Sequence, residues 1–193
     1  IVKYTSTGTS GATIAHGLSG TPDFVVFKCT STGSTNWITT ITNVVSNKHL
    51  YLNTSSAGGT GGFAVNSNTI TLNNTYGDAN TNGRDYIAYC WQSIPDYSKI
   101  GTYAGNGSSD GLFIHTGFKP AFLMVKSHSH GSSWAMLDNK RSTVNSVDEN
   151  LYADSNGVES VTAYVKVDFL SNGFNLKTND SGMNTSGRDY VYI

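Results

Sequence analysis

Charge is scarce in this chain. Asp, Glu, Lys and Arg make up 13% of its 193 residues and leave a net charge of −1. No basic run occurs, which argues against a nucleic-acid footprint. Long apolar runs are missing too, so no stretch reads as a membrane span, and nothing at Ile1 has the layout of a signal peptide. The chain does not open on Met, which points to a processed product or a segment of something longer. Prolines number three and cysteines two. Cys29 and Cys90 each fall inside an expected strand and read as small buried thiols, which leaves the redox compartment open. No nucleophile motif, phosphate loop or dinucleotide fingerprint appears, and nothing asks for a cofactor.

What the chain does have is Gly, Ser, Thr and Asn in quantity, with eleven Tyr and three Trp. That mixture is too aromatic for a disordered chain and suits many short strands joined by tight turns. The strongest signal is repetition. Gly83-Arg84-Asp85-Tyr86-Ile87-Ala88-Tyr89 returns as Gly187-Arg188-Asp189-Tyr190-Val191-Tyr192-Ile193. Earlier blocks recur in the same order. His16 behind a Gly-rich turn is matched by His115, Pro22 and the apolar run after it by Pro120 and its run, and Trp37 by Trp134. His49-Leu50-Tyr51-Leu52 is matched by Asn150-Leu151-Tyr152-Ala153. So many blocks in one order define a tandem duplication.

Within each unit the pattern is strand after strand. Phe24 to Phe27 is apolar on both faces, as in a strand covered on both sides, whereas Asn68 to Leu72 alternates. Helical periodicity is nearly absent; its best candidate, Arg141 to Leu151, reads as loop or a single turn. The expected fold is all-β: two tandem, jelly-roll-like β-sandwich units over residues 1–97 and 98–193, divided near Pro95. The second unit stops at Ile193, where the first runs on to Cys90 and Trp91, and that edge is the first place to look for a partner.

Candidate chemistry is thin. His16 and His115 recur at one place in each unit and read as fold anchors bonded to backbone. Arg84-Asp85 and Arg188-Asp189 also repeat. Neighbours on a strand point to opposite faces, so each is expected to anchor loop backbone rather than its own neighbour. Asp78-Ala79-Asn80-Thr81-Asn82-Gly83 matches the front of a calcium loop, but Tyr89 stands where the last carboxylate belongs, and the second unit has Gly182 in place of Asp78; a polar turn is the reading. His128-Ser129-His130 lacks nearby further ligands and reads as an exposed loop. Asn-x-Ser/Thr sites fall at Asn53, Asn73, Asn106, Asn179 and Asn184, as expected by accident in such a composition.

The run Ser98-Lys99-Ile100-Gly101-Thr102-Tyr103-Ala104-Gly105-Asn106-Gly107-Ser108-Ser109-Asp110-Gly111 carries a family likeness. Together with Tyr86-Ile87-Ala88-Tyr89-Cys90-Trp91 and Asp168-Phe169-Leu170-Ser171-Asn172-Gly173-Phe174, it resembles a repeated β domain of tail-fibre and virion structural proteins in marine and cyanobacterial tailed phages. The resemblance spans nearly the whole chain. It implies a non-enzymatic component of the virion, a tail-fibre segment or capsid-decorating protein, working by self-assembly and host adsorption. Its partners would be other virion proteins, further copies of the chain in a homo-oligomer, and a host-surface glycan, with no nucleic acid and no membrane insertion.

Two rival functions stand beside it. In a carbohydrate-binding module, Trp37 and Trp134 would stack on sugar faces from Ser/Thr-rich loops, against the simpler reading that both are core. A polysaccharide hydrolase needs two converging carboxylates, and only the loose group Asp138, Asp148, Glu149, Asp154 and Glu159 offers any.

Overall fold

The computed structural model describes residues 1–42, 48–72, 77–161 and 164–193. The chain is all-β, without a helix among the described residues, and forms two tandem β-sandwich units. One unit comprises Ile1–Asn53 with Gly58–Ser93, and the other Ile94–Ile193 with Thr54–Ala57.

The first unit contains β1 (Val2–Thr5), β2 (Thr13–Ala15), β3 (Phe24–Cys29), β4 (Ile38–Ile41), β5 (Lys48–Tyr51), β6 (Gly59–Thr60), β7 (Ala64–Val65), β8 (Thr69–Thr71) and β9 (Asp85–Trp91). Six strands form one antiparallel sheet in the order β1-β9-β3-β4-β5-β6, and three form another in the order β2-β8-β7. The Arg-Asp-Tyr strand therefore lies inside its sheet: β9 is paired to β1 on one side and β3 on the other. Its alternation explains the placement, since Tyr86 and Ala88 are fully buried while Ile87 and Tyr89 are half-buried. Val25, Phe27, Ile38 and Ala88 from the large sheet meet Ile70 from the small one, with Phe63 and Leu72 filling the space between. Phe27 and Phe63 have ring centroids 4.5 Å apart. Each of these buried Val, Leu, Ile and Phe side chains stabilises the fold by about 1.5–3 kcal/mol. All four residues from Phe24 to Phe27 are buried, in keeping with their two-sided apolar pattern.

The second unit contains β10 (Gly101–Ala104), β11 (Phe113–His115), β12 (Phe122–Ser127), β13 (Ala135–Asp138), β14 (Glu149–Tyr152), β15 (Ser160–Val161), β16 (Val167–Leu170), β17 (Gly173–Leu176) and β18 (Asp189–Tyr192). Its sheets run β10-β18-β12-β13-β14-β15 and β11-β17-β16, the first unit's order strand for strand. Leu123, Val125, Leu137, Tyr190 and Tyr192 from the large sheet pack on Ile114, Phe169, Phe174 and Leu176 from the small one. The segment from Arg141 is turn and bend as far as Ser146, as its Asn, Ser and Thr content led us to expect, whereas Glu149 to Leu151 already belong to β14.

The register keeps the duplication exact at one pair. Tyr4 lies opposite Tyr86, and Tyr103 opposite Tyr190. Just before each closing strand the chain turns through a glycine in the left-handed region, Gly83 at φ 72° and Gly187 at φ 77°. A side chain there would be strained.

Candidate functional site

The recurring polar residues hold backbone. In the first unit Tyr4 and Tyr86 stack with centroids 5.3 Å apart, and in the second Tyr103 and Tyr190 stack at 5.1 Å. Each hydroxyl donates to a carbonyl of the loop preceding the closing strand. Tyr4 reaches Ala79 O and Tyr103 reaches Met183 O, both at 2.7 Å; Tyr86 reaches Gly77 O at 2.8 Å and Tyr190 reaches Ser181 O at 3.0 Å. Burial pushes the Tyr4 and Tyr103 phenols well above the usual tyrosine value, so both remain donors. Asn184 is fully buried beside them. Its amide is shared among Asn106 Oδ1, Ser108 O and Thr178 O, each at 2.9 Å, and its Oδ1 accepts from Asn106 N. Asn80 holds the matching place, donating to Thr9 O and accepting from Ser6 Oγ. Sequence reasoning missed these locks, although the repeated Tyr residues and the matched Asn80 and Asn184 were visible signals for them.

The Arg-Asp pairs act mainly through their backbone. Asp85 N donates to Ser31 Oγ at 2.7 Å and Asp189 N to Ser129 Oγ at 2.9 Å. The Asp85 carboxylate accepts from Thr5 Oγ1 at 2.6 Å; the residue paired with Asp189 is Ala104, which has no hydroxyl to offer. Arg188 Nη1 donates to Ser181 O at 3.1 Å, and Arg84 N to Thr81 O at 3.2 Å.

His16 is buried, with Nε2 3.0 Å from Asn66 O and Nδ1 accepting from Leu18 N at 3.1 Å. His115 departs from the expected anchor role. It is exposed, and its ring meets the edge of Phe113. The reason lies opposite: Leu170, the counterpart of Asn66, is paired into the β16–β17 ladder, and Asn172 O takes the N–H groups of Thr116 and Gly117 instead.

The two tryptophans also part company. Trp134 is fully buried, as the core reading held, whereas Trp37 is 36% exposed. Trp37 begins a row of aromatic rings on the first unit: Trp37–Tyr89 centroids are 6.4 Å apart, Tyr89–Trp91 6.1 Å and Phe24–Trp91 5.3 Å, with interplanar angles of 25°, 21° and 29°. Trp91 is 46% exposed. Lys28 Nζ sits 5.6 Å from the Trp37 ring centroid and donates to Thr35 O. Polar side chains fix the Trp37 backbone. Trp37 N donates to Asn53 Oδ1 at 2.9 Å, Asn53 Nδ2 to Asn36 Oδ1 at 3.1 Å, and Asn36 N to Asp78 Oδ1 at 2.9 Å. Asp78 thus closes a network rather than opening a calcium loop, and no metal-sized group of His, Cys, Asp or Glu occurs among the described residues. An exposed indole with amides and a carboxylate at its rim can stack on an apolar ring face while bonding its hydroxyls.

The remaining candidates are dispersed. Cys29 pairs with Tyr86 and Cys90 with Val25, four residues along β3, so about 13 Å of strand separates the thiols and no bridge can form. Arg141 binds Asp138 at 2.6 Å and Glu159 at 3.2 Å; Lys166 lies 3.8 Å from Asp148, Glu149 accepts from Ser142 Oγ, and Asp154 accepts Trp134 N at 2.8 Å. Ser129, between His128 and His130, holds Asp189 N and lies 3.0 Å from His130 Nδ1. Asn184 is too buried for glycosylation of the folded chain. Asn53, Asn106 and Asn179 are exposed, and Asn73 lies outside the described residues.

Fold and surface together define a duplicated β-sandwich whose repeated tyrosines and asparagines serve the fold. The chain belongs to the family described as a domain of unknown function (DUF7483), whose pattern matches residues 1–193. No curated protein and no solved structure matches it.

Proposed function

We propose that this is a non-enzymatic structural protein of a bacteriophage virion, a tail-fibre segment or capsid-decorating protein that works by self-assembly and host-surface adsorption. The observation that carries the reading is the spending of repeated polar groups on backbone. Tyrosine hydroxyls, Asn80 and Asn184, and Ser31 and Ser129 all lock loops in matched positions. A particle component requires such rigidity without a cofactor, and the resemblance of the sequence to phage fibre domains points the same way. Immunogold microscopy with mass spectrometry of purified virions tests it: label and peptides should travel with intact particles, and their absence from particles overturns the proposal.

A second reading, a carbohydrate-binding module within such a fibre or a secreted adhesin, is favoured by Trp37. It is the exposed member of the tryptophan pair and carries Asn36, Asn53 and Asp78 in its network. Glycan-array binding that disappears in Trp37→Ala supports it; an array silent to the intact chain removes it.

A further inference from the structure

The two units differ at one position in a way that leaves one of them open. In the first, the Asp78 carboxylate accepts Asn36 N at 2.9 Å and lies 3.4 Å from Asn36 Nδ2. The matched positions in the second unit are Gly182 and Ser133, each adjoining a shared landmark: Met183 and Asn184 follow Gly182 as Ala79 and Asn80 follow Asp78, and Trp134 follows Ser133 as Trp37 follows Asn36. With no side chain at Gly182, a cleft of about 150 Å³ lies there, lined by Ser132, Ser133, Tyr152, Asp180, Ser181 and Gly182 among others. The Ser133 N–H, whose counterpart binds Asp78, has no protein partner among the described residues.

The lining selects a ligand class. Burial raises the Tyr152 phenol above its usual value, and the nearby charges of Asp180 and Asp154 raise it further, so it stays a neutral donor while its ring packs in part against the core. Asp180 is the charged side chain of the lining, with the Arg188 guanidinium bonded to Ser181 O at the rim, and a ligand carboxylate lying against Asp180 would be repelled. Asp180 is held in place, Oδ1 accepting Gly182 N at 2.7 Å. A ligand fitting this set must accept from the Ser133 N–H, donate to a carboxylate, offer an apolar face to Tyr152, and carry no charge. A neutral pyranose does all four: its hydroxyls accept and donate, its C–H face is apolar, and it carries no charge. The volume suits one ring.

We infer that the cleft of the second unit binds a single neutral hexose residue, and that Asp78 plugs the corresponding place in the first. This rests on the adsorption half of the function proposed above for its choice of ligand. Amide chemical shifts of the full chain, titrated with glucose, galactose, mannose, N-acetylglucosamine and glucuronate, test it. A neutral hexose should move Ser133, Asp180 and Gly182, and glucuronate should bind more weakly. Gly182→Asp, which installs the first unit's plug, should weaken binding at least about tenfold. Gly182 is not in the left-handed region, and an added Cβ would lie 3.1 Å from Asp180 Oδ1, a contact that a small side-chain rotation relieves. Asp180→Asn keeps an acceptor for Gly182 N and should weaken binding about fivefold through the lost charge. No shift with any hexose, preferred binding of glucuronate, or unchanged affinity in both Gly182→Asp and Asp180→Asn overturns the assignment. A chain found in virions yet silent to every hexose would sink the cleft alone; hexose binding by a chain absent from virions would sink the particle role alone.

Discussion

The first and second units share strand order, the stacked tyrosine pair and the buried asparagine, yet differ at their tryptophans and at the turn before the closing strand. Trp37 is exposed where Trp134 is fully buried, Lys28 is half-buried where Lys126 is fully buried, and Asp78 fills a place that Gly182 leaves empty. Groups that satisfy buried backbone carbonyls are the same in both copies, because an unpaired carbonyl costs as much in one sandwich as in the other. Side chains facing outward carry no such obligation. The difference separates what a sandwich needs to fold from what each copy is free to use.

The largest expected break in that comparison is at the tryptophans. Trp134→Ala should cost about 3–5 kcal/mol and Trp37→Ala less than about 1 kcal/mol, read from denaturant unfolding with amide exchange to resolve the units. Equal costs would mean that the burial difference carries no energy. Next comes the asparagine. Asn184→Ala removes an amide shared among three oxygens and should cost about 2–4 kcal/mol, more than Asn80→Ala; the reverse ranking would contradict the hydrogen bonding. Tyr4→Phe and Tyr103→Phe should then cost alike, about 1 kcal/mol each, since both hydroxyls make the same 2.7 Å bond. A large difference between the two would break the claim that the lock was duplicated intact.

The smallest effect is a pH dependence confined to the second unit. Burial lowers the Lys126 ammonium to about 8, against a partly opposing pull from Asp154. Folded chains therefore bind fewer protons than unfolded ones between about pH 8 and the ordinary lysine value of 10.5. The penalty is fully present below that window and fades as pH rises through it. Lys126→Met should be more stable than the parent at pH 7, by a margin that narrows toward pH 10. A margin independent of pH would show that the ammonium is not desolvated.

The sandwich fold and its duplication were legible because strands and turns are written locally, in alternation and in Gly, Asn and Ser at fixed places. Burial of a repeated residue is not local. Trp37 and Trp134 sit at matched points of one pattern, and nothing adjacent to either distinguishes their exposure. His115 misled for a similar reason: His16 has its partner fifty residues away on Asn66, and Leu170, which stands in that place in the second unit, is paired into its ladder. Asp78 was readable as a turn and, more faintly, as part of a cation loop. Its bond to Asn36 spans 42 residues and shows only in the folded chain.

Trp134 buried in one unit, with Trp37 and Trp91 exposed in the other, also gives the chain two optical addresses. An aqueous quencher such as iodide can collide with the first unit's indoles while the second unit's emitter stays dark to it. Loss of that protection marks the opening of the second sandwich alone, so the order in which the copies unfold can be followed without attaching a dye to either.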